Sequence, residues 1–357
     1  PYLGERFGNP SSIHSFGMEA KAALDEAREK VAGFLGCSPG EVVFTSGGTE
    51  SNNHAVVGAA LAMRERGTHL VTTSVEHSSV LRSFAYLESL GFSVTYIGVD
   101  RFGMPDLAEL RDSITPATTL VSVMYVNNET GVIMPVGEIA EIVKEKGALF
   151  HTDAVQAAGK LRVDLRSLPA DLLSISSHKV YGPKGVGALF IRSGVRVAPF
   201  IHGGGQERGR RSGTENVPGI AGFGEACELA RRELAADSQR ALLLGGKLKA
   251  GLLSSVEGVS INGDPERRVA GTLNVCFPGA EGEAVVMGLD LEGIAVSTGS
   301  ACSEGNVEPS HVLLAMGLTK EEALSSVRFS LGRFTTEEDI ERLLGVLPRV
   351  VARVRLA

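Results

Sequence analysis

The chain has 357 residues, 43% hydrophobic and 22% charged, a balance that excludes a disordered protein. With 35 Lys+Arg against 42 Asp+Glu, the formal net charge is -7, opposite to the basic excess of a nucleic-acid binder. There is no signal-peptide core and no apolar run of ~18 residues or more, so no membrane span is predicted. The length favours about two domains.

Ala and charged residues at helical spacing predict a helix over 17–35, stopped by Gly36. Strands and helices then alternate. Residues 41–45 read as a strand, 46–49 as a turn and 50–63 as a helix. Further strands are predicted over 69–75, 93–99, 119–126, 148–152, 171–176 and 187–192, with a helix over 138–146. This alternation predicts an α/β domain with a mostly parallel sheet. Composition shifts after Thr214. Residues 217–250 read as long helices, 272–277 as a strand and 337–353 as a helix, while 297–308 is rich in Gly, Ser and small polar residues. A smaller α+β domain is predicted to start near residue 235.

The four cysteines, Cys37, Cys227, Cys276 and Cys302, form no C-x-x-C pair, so no zinc or redox motif is suggested. Free thiols in a reducing cytosol are the expectation. The 44 glycines, about 12% against a usual ~7%, direct attention to the loops.

Three segments suit chemistry. Thr45-Ser46-Gly47-Gly48-Thr49-Glu50-Ser51 joins a strand to a helix, where backbone N–H groups and the helix dipole can hold a phosphate. No Walker lysine and no G-x-G-x-x-G is present, and an ordinary capped turn fits the same residues. Asp153 and Gln156 follow a strand, where ligand-binding side chains of parallel sheets cluster; alternatively Asp153 caps a following helix. Lys179 follows the strand 171–176 beside His178, where a desolvated amine of lowered pKa could form a Schiff base. Lys184, in a Pro/Gly turn, is the competing lysine, and a plain surface lysine is the alternative.

Together, a phosphate cradle, a strand-end carboxylate and a strand-end lysine are the three fixed points of pyridoxal 5′-phosphate. Their order resembles the fold-type I, class V aminotransferase group. The blocks Tyr125-Val126-Asn127-Asn128-Glu129-Thr130-Gly131, Ser176-Ser177-His178-Lys179-Val180-Tyr181-Gly182-Pro183-Lys184-Gly185, Arg211-Ser212-Gly213-Thr214, Ser300-Ala301-Cys302 and Val327-Arg328-Phe329-Ser330-Leu331-Gly332 resemble NifS/IscS-type cysteine desulfurases. The resemblance spans about residues 7–336.

It implies a large cofactor domain over 14–234 and a small domain from 1–13 and 235–357. It also implies that Lys179 holds the cofactor covalently, Asp153 pairs with the pyridine nitrogen and His77 stacks on the ring and shuttles protons. Gln156 should reach the ring hydroxyl with Asn128 close by. Gly48, Thr49, Ser176 and His178 should hold the phosphate, and Thr214 the phosphate of a partner subunit in a homodimer. Arg328 should clamp the carboxylate of L-cysteine. Cys302, among small polar residues, should take the sulfur as a persulfide for an acceptor or iron–sulfur scaffold protein, in the cytoplasm. The other cysteines read as buried apolar residues.

Two departures from the family stand out. The Ala-Thr-Thr-bearing segment expected ahead of Pro1 is missing, and so is the C-terminal extension that some members use to dock a scaffold. Another class V enzyme, such as a selenocysteine lyase, a serine–pyruvate-type aminotransferase or a kynureninase-like hydrolase, is the related alternative. A nucleotide-dependent oxidoreductase on the Gly47-Gly48 turn lacks its G-x-G-x-x-G.

Overall fold

The computed structural model describes residues 1–298, 302–303 and 306–356, with 302, 303, 306 and 307 described by backbone alone. The first of two compact units contains Pro1–Ile97, Leu107–Tyr125 and Pro135–Leu234; the second contains Gly98–Asp106, Val126–Met134 and Ala235–Ala357. Residues 1–13 thus group with the first unit, not with the small domain as predicted. Tyr2 packs against Ala20, Ala23 and Val217, and the Phe7 ring stacks on Phe16 at 5.5 Å. A Cβ on Gly8 would lie 2.0 Å from the Phe16 carbonyl oxygen, so only glycine permits this approach. The segment Val126–Met134 joins the second unit because Arg268 donates to the Thr130 carbonyl and Ile133 N–H to the Arg267 carbonyl, at 2.9 and 2.8 Å.

The first unit runs α1 (Ser15–Leu35), β1 (Val42–Thr45), α2 (Gly48–Ala62), β2 (His69–Thr73), α3 (Ser78–Ser89), β3 (Ser93–Ile97), α4 (Leu107–Ser113), β4 (Thr118–Ser122), α5 (Val136–Lys146), β5 (Leu149–Asp153), β6 (Leu172–Ser176) and β7 (Gly187–Ile191). The division into units falls within α6 (Val217–Ser255). Gly36 closes α1 in the left-handed conformation, φ 71°, as its position after the apolar pattern predicts. The helix α3 and the helix α4 are not anticipated in the sequence reading, although Val80, Phe84 and Leu87 bury one face of α3.

The sheet has the order β1-β7-β6-β5-β4-β2-β3. Pairs among β3, β2, β4, β5 and β6 are parallel. Strand β7 is antiparallel to both β6 and β1, so β1 runs in the same direction as β6. The carboxyl ends of β1, β2, β4, β5 and β6 therefore open at one edge, where open α/β sheets bind ligands. Strand order reverses between β2 and β4, which places the switch point beside the ends of those strands. Every residue of β1, β4, β6 and β7 is buried, as expected for strands covered on both faces. Val56, Ala59 and Ala60 of α2 and Phe84 of α3 pack with Leu70, Leu120, Leu172 and Leu189 of the sheet. On the loop after β7, Glu207 is buried in a two-point ion pair with Arg28, at 2.6 and 2.8 Å, and accepts from Phe44 N–H. That pairing holds two successive non-glycine residues, Glu207 and Arg208, at φ 48° and 59°.

The second unit continues with β8 (Ser260–Asn262), β9 (Thr272–Cys276), α7 (Gly282–Asp290), β10 (Ser297–Thr298), β11 (Cys302–Ser303), β12 (Asn306–Val307), α8 (His311–Ala315), α9 (Lys320–Leu324), β13 (Ser326–Ser330) and α10 (Glu337–Arg355). Its antiparallel sheet has the order β10-β13-β9-β8. Val275, Val327 and Phe329 pack there with Val285 and Leu289 of α7 and Leu343, Leu347 and Val351 of α10. No helix among the described residues is long and apolar enough to cross a membrane.

Candidate active site

At the end of β1 the chain turns through Gly47, φ 154°, and enters α2 at Gly48. Gly47 has no capping side chain, so the first-turn N–H groups remain available to an outside acceptor. A Cβ on Gly48 would stand 2.8 Å from Val155 Cγ2 and 3.5 Å from Ser176 Cβ, which puts this turn directly against the ends of β5 and β6. Ser176 Oγ and His178 Nδ1 are hydrogen-bonded at 3.0 Å. Thr49 is exposed in the first turn of α2. Glu50, the acid that would repel an anion here, accepts from Ser46 N–H at 2.8 Å and from Arg211 at 2.8 and 3.1 Å. Burial opposes its charge, yet Arg211 and Ser46 hold the carboxyl below its usual range. Burial, then the charges of Lys179 and Lys184, lower the pKa of His178. The four residues expected to hold a phosphate thus offer backbone N–H, hydroxyl and imidazole groups, and this donor set fits an anion.

Asp153 ends β5 and is 5% exposed. Its Oδ1 accepts from Val155 N–H at 2.9 Å and its Oδ2 from Asn52 Nδ2 at 2.7 Å. Burial raises its pKa, opposed by Val155, Asn52 and then the charges of His77 and Lys179. No helix follows: residues 154–161 form turns, so the expected alternative of Asp153 as a helix cap gives way to a local turn closed on Val155 N–H. His77 caps α3, its Nδ1 accepting from Ser79 N–H at 3.1 Å and pairing with Ser79 Oγ at 2.8 Å. A neutral His77 ring therefore carries its proton on Nε2. Gln156 Oε1 accepts from Lys160 Nζ, which leaves the Gln156 NH₂ as the group on offer.

Lys179 lies in a short 3₁₀ turn, Ser177–Val180, directly after β6. It is exposed, so the expected desolvation of its amine is not found. Lys184 is also exposed, as its Pro/Gly turn predicts. Thr214 is exposed on the loop before α6.

Asn128 and Arg328 belong to the second unit. Arg328 donates through Nη1 to the Asn128 carbonyl at 2.9 Å, while its buried Nε has no hydrogen-bond partner among the described residues. Asn128 Oδ1 is likewise buried without one. Glu129, buried near Arg328, has its pKa raised by burial against the pull of Ser310, His311 and Arg328. The guanidinium keeps unused donors, which suits a carboxylate ligand better than a closed structural ion pair. The backbone of Cys302 pairs with Val307 in β11 and β12; its side chain lies outside the described residues. Cys227 and Cys276 are buried and Cys37 is half-buried. Burial raises all three thiols, Cys37 to about 12.

Sequence reasoning passed over four buried polar residues around this edge. Asn52 and Ser79 connect Asp153 to His77. His151 bridges Ser122 Oγ and Ser174 Oγ at 2.8 and 3.0 Å, and burial lowers its pKa to about 3, leaving a neutral brace across three strands. The signal for His151 was its position two residues before Asp153, on the same strand face. Glu76 accepts from Thr73 Oγ1 at 2.7 Å and Met124 N–H at 2.9 Å, tying the ends of β2 and β4 across the switch point. Burial, with Asp153 nearby, raises its pKa to about 8. Its unfolded value is near 4.5, so the native state holds the extra proton between these values. Stability must then fall as pH rises from about 4.5 to about 8. Urea denaturation across that window should show the fall in wild type and a smaller one in Glu76→Gln; equal slopes would contradict it.

The sequence model of one family, Aminotransferase class-V, matches residues 1–343. The chain belongs to the class-V aminotransferases. Its similarity to individual members covers nearly its whole length. It is 50% identical to a cysteine desulfurase IscS of Methanosarcina thermophila, over 99% of this chain and 88% of that relative. It is 48% identical to a cysteine desulfurase IscS of Dictyoglomus turgidum, over 99% and 90%. A solved structure of a NifS-like protein superposes with a TM-score of 0.93 at 42% identity, covering 99% of this chain and 93% of the other. The class-V fold accounts for the large mixed sheet flanked by helices.

Proposed function

We propose that this class-V protein is a pyridoxal phosphate-dependent cysteine desulfurase, which converts L-cysteine to L-alanine and carries the removed sulfur as a persulfide on Cys302. The observation that carries the reading is Asp153, buried at a strand end and answered by the charges of His77 and Lys179. The likeness to proteins named cysteine desulfurase selects the reaction within the family.

Pyridoxal phosphate, when bound, supplies an electron sink that loosens the bonds around the substrate's α-carbon. Gly48, Thr49, Ser176 and His178 would hold its phosphate, Asp153 its ring nitrogen, Gln156 its hydroxyl, and Lys179 its aldehyde, with Asn128 close by. His77 would lie over the ring and exchange a proton at Nε2, the nitrogen its cap leaves unengaged. Arg328 would clamp the substrate carboxylate. The sulfur transfer balances without an outside oxidant. The substrate C–S bond breaks and that carbon gains hydrogen, while an S–S bond forms on Cys302.

The protein would act as a homodimer, with Thr214 serving the partner's phosphate. Support comes from Ile13, Phe16 and Met18, which are exposed on the first unit. Ile13 and Met18 border a cavity of about 1110 Å³. The persulfide would pass to an acceptor or iron–sulfur scaffold protein in the cytoplasm.

Arg328→Leu tests the substrate assignment. A two-point, charge-assisted contact is worth about 1.5–3 kcal/mol, so KM for L-cysteine should rise about 10- to 100-fold. The visible band of the cofactor should persist. An unchanged KM would contradict the clamp.

A further inference from the structure

The buried polar residues between α2 and α3 form one connected chain. Asn52, 1% exposed on α2, spends both amide hydrogens: one on Asp153 Oδ2 at 2.7 Å and one on Ser79 Oγ at 2.9 Å. The NH₂ end faces both partners. With its oxygen occupied by Asn52, the Ser79 hydroxyl directs its own hydrogen to His77 Nδ1 at 2.8 Å. The Ser79 backbone N–H points at the same nitrogen. Asn52 Oδ1 has no hydrogen-bond partner among the described residues, so both bonds to the site come from the amide nitrogen alone.

We propose that Asn52 is a positioning residue that sets two groups of the site at once, Asp153 directly and the His77 ring through Ser79. This rests on the cofactor reading above for its catalytic meaning, but the geometry belongs to the chain itself. Asp153 is also faced by Lys179, His77 and Glu76, and Asn52 Nδ2 donates at Oδ2. Loss of Asn52 leaves a buried carboxylate short of a donor and leaves the Ser79 hydroxyl free to rotate, so the His77 ring keeps only the Ser79 N–H at Nδ1.

The test uses the full chain with pyridoxal phosphate bound and [¹⁵N]histidine incorporated, as wild type, Asn52→Leu and Ser79→Ala. Wild type should show His77 protonated on Nε2 and bare on Nδ1. Asn52→Leu keeps the side-chain volume and removes both donors. It should shift the His77 ring signals, lower kcat about 10- to 100-fold at near-constant KM, and speed cofactor release into a scavenger. Ser79→Ala should shift the ring signals and leave cofactor release at the wild-type rate, because Asn52 still holds Asp153. A wild-type ring protonated on Nδ1 overturns the proposal, as does a folded Asn52→Leu with wild-type ring signals and release. Should Asn52→Leu not fold, unchanged ring signals in Ser79→Ala overturn it equally. Failure of the cofactor reading looks different: wild type would show no visible band that Lys179→Ala removes.

Discussion

Lys179→Ala should give a folded protein without the visible absorption of a lysine-bound cofactor and without turnover of L-cysteine. Lys179 sits just past the carboxyl end of β6, three residues beyond Ser176 and one beyond His178. Its charge is felt by buried Asp153. Among the described residues, no other lysine follows a strand of this edge directly: Lys160 is engaged with Gln156 and Lys184 lies in an exposed turn. Gly48, Thr49, Ser176 and His178, proposed to hold the phosphate, are left intact by the substitution, so the variant should still bind pyridoxal phosphate, now reversibly and removable by dialysis. Loss of proton transfer alone is worth about 10²–10⁴-fold in rate, and loss of the covalent anchor adds to it. Lys184→Ala should keep both colour and activity. Absorption spectra before and after dialysis, beside an alanine assay, check the pair; a coloured, active Lys179→Ala would refute the assignment.

Cys302→Ala should retain the cofactor band and its response to L-cysteine, yet release no sulfide. The argument is one of thiol chemistry. The nucleophile must be a thiolate, and burial holds Cys37, Cys227 and Cys276 in the thiol form. Cys302 stands in the sequence among Ser297, Thr298, Gly299, Ser300, Ala301 and Ser303, all small residues. Alanine substitution at each of the other three cysteines should leave sulfide release intact. Sulfide release that survives Cys302→Ala and fails in one of the others would move the sulfur to that residue.

Much of the first unit was legible because buried parallel strands write themselves as apolar runs. Residues 187–191 and 172–176 differ from the predicted strands by one terminal residue each. The Gly47-Gly48 turn, Asp153 and Lys179 were legible for the same reason: strand ends fix where side chains can gather. Helix α3 was passed over, although His77 is its cap and Val80, Phe84 and Leu87 mark its buried face. Strand β13 was seen only as a motif around Arg328. Residues 1–13 were assigned by family resemblance, and the contacts of Tyr2, Phe7 and Gly8 overruled it. Asn52, Ser79 and Glu76 carry no sequence signal of their own. Asn52 meets partners 27 and 101 residues away, and Glu76 meets Met124 N–H 48 residues away besides Thr73 three residues away, so only the folded chain reveals these long-range bonds.

A single-turnover mixture of the protein with L-cysteine, without reductant, tests the desulfurase reading most directly. The expected result is L-alanine in an amount equal to the protein that gains one sulfur atom, with that sulfur on the Cys302 peptide by mass spectrometry. Pyruvate and ammonia in place of alanine, or alanine with no sulfur on Cys302, would contradict it.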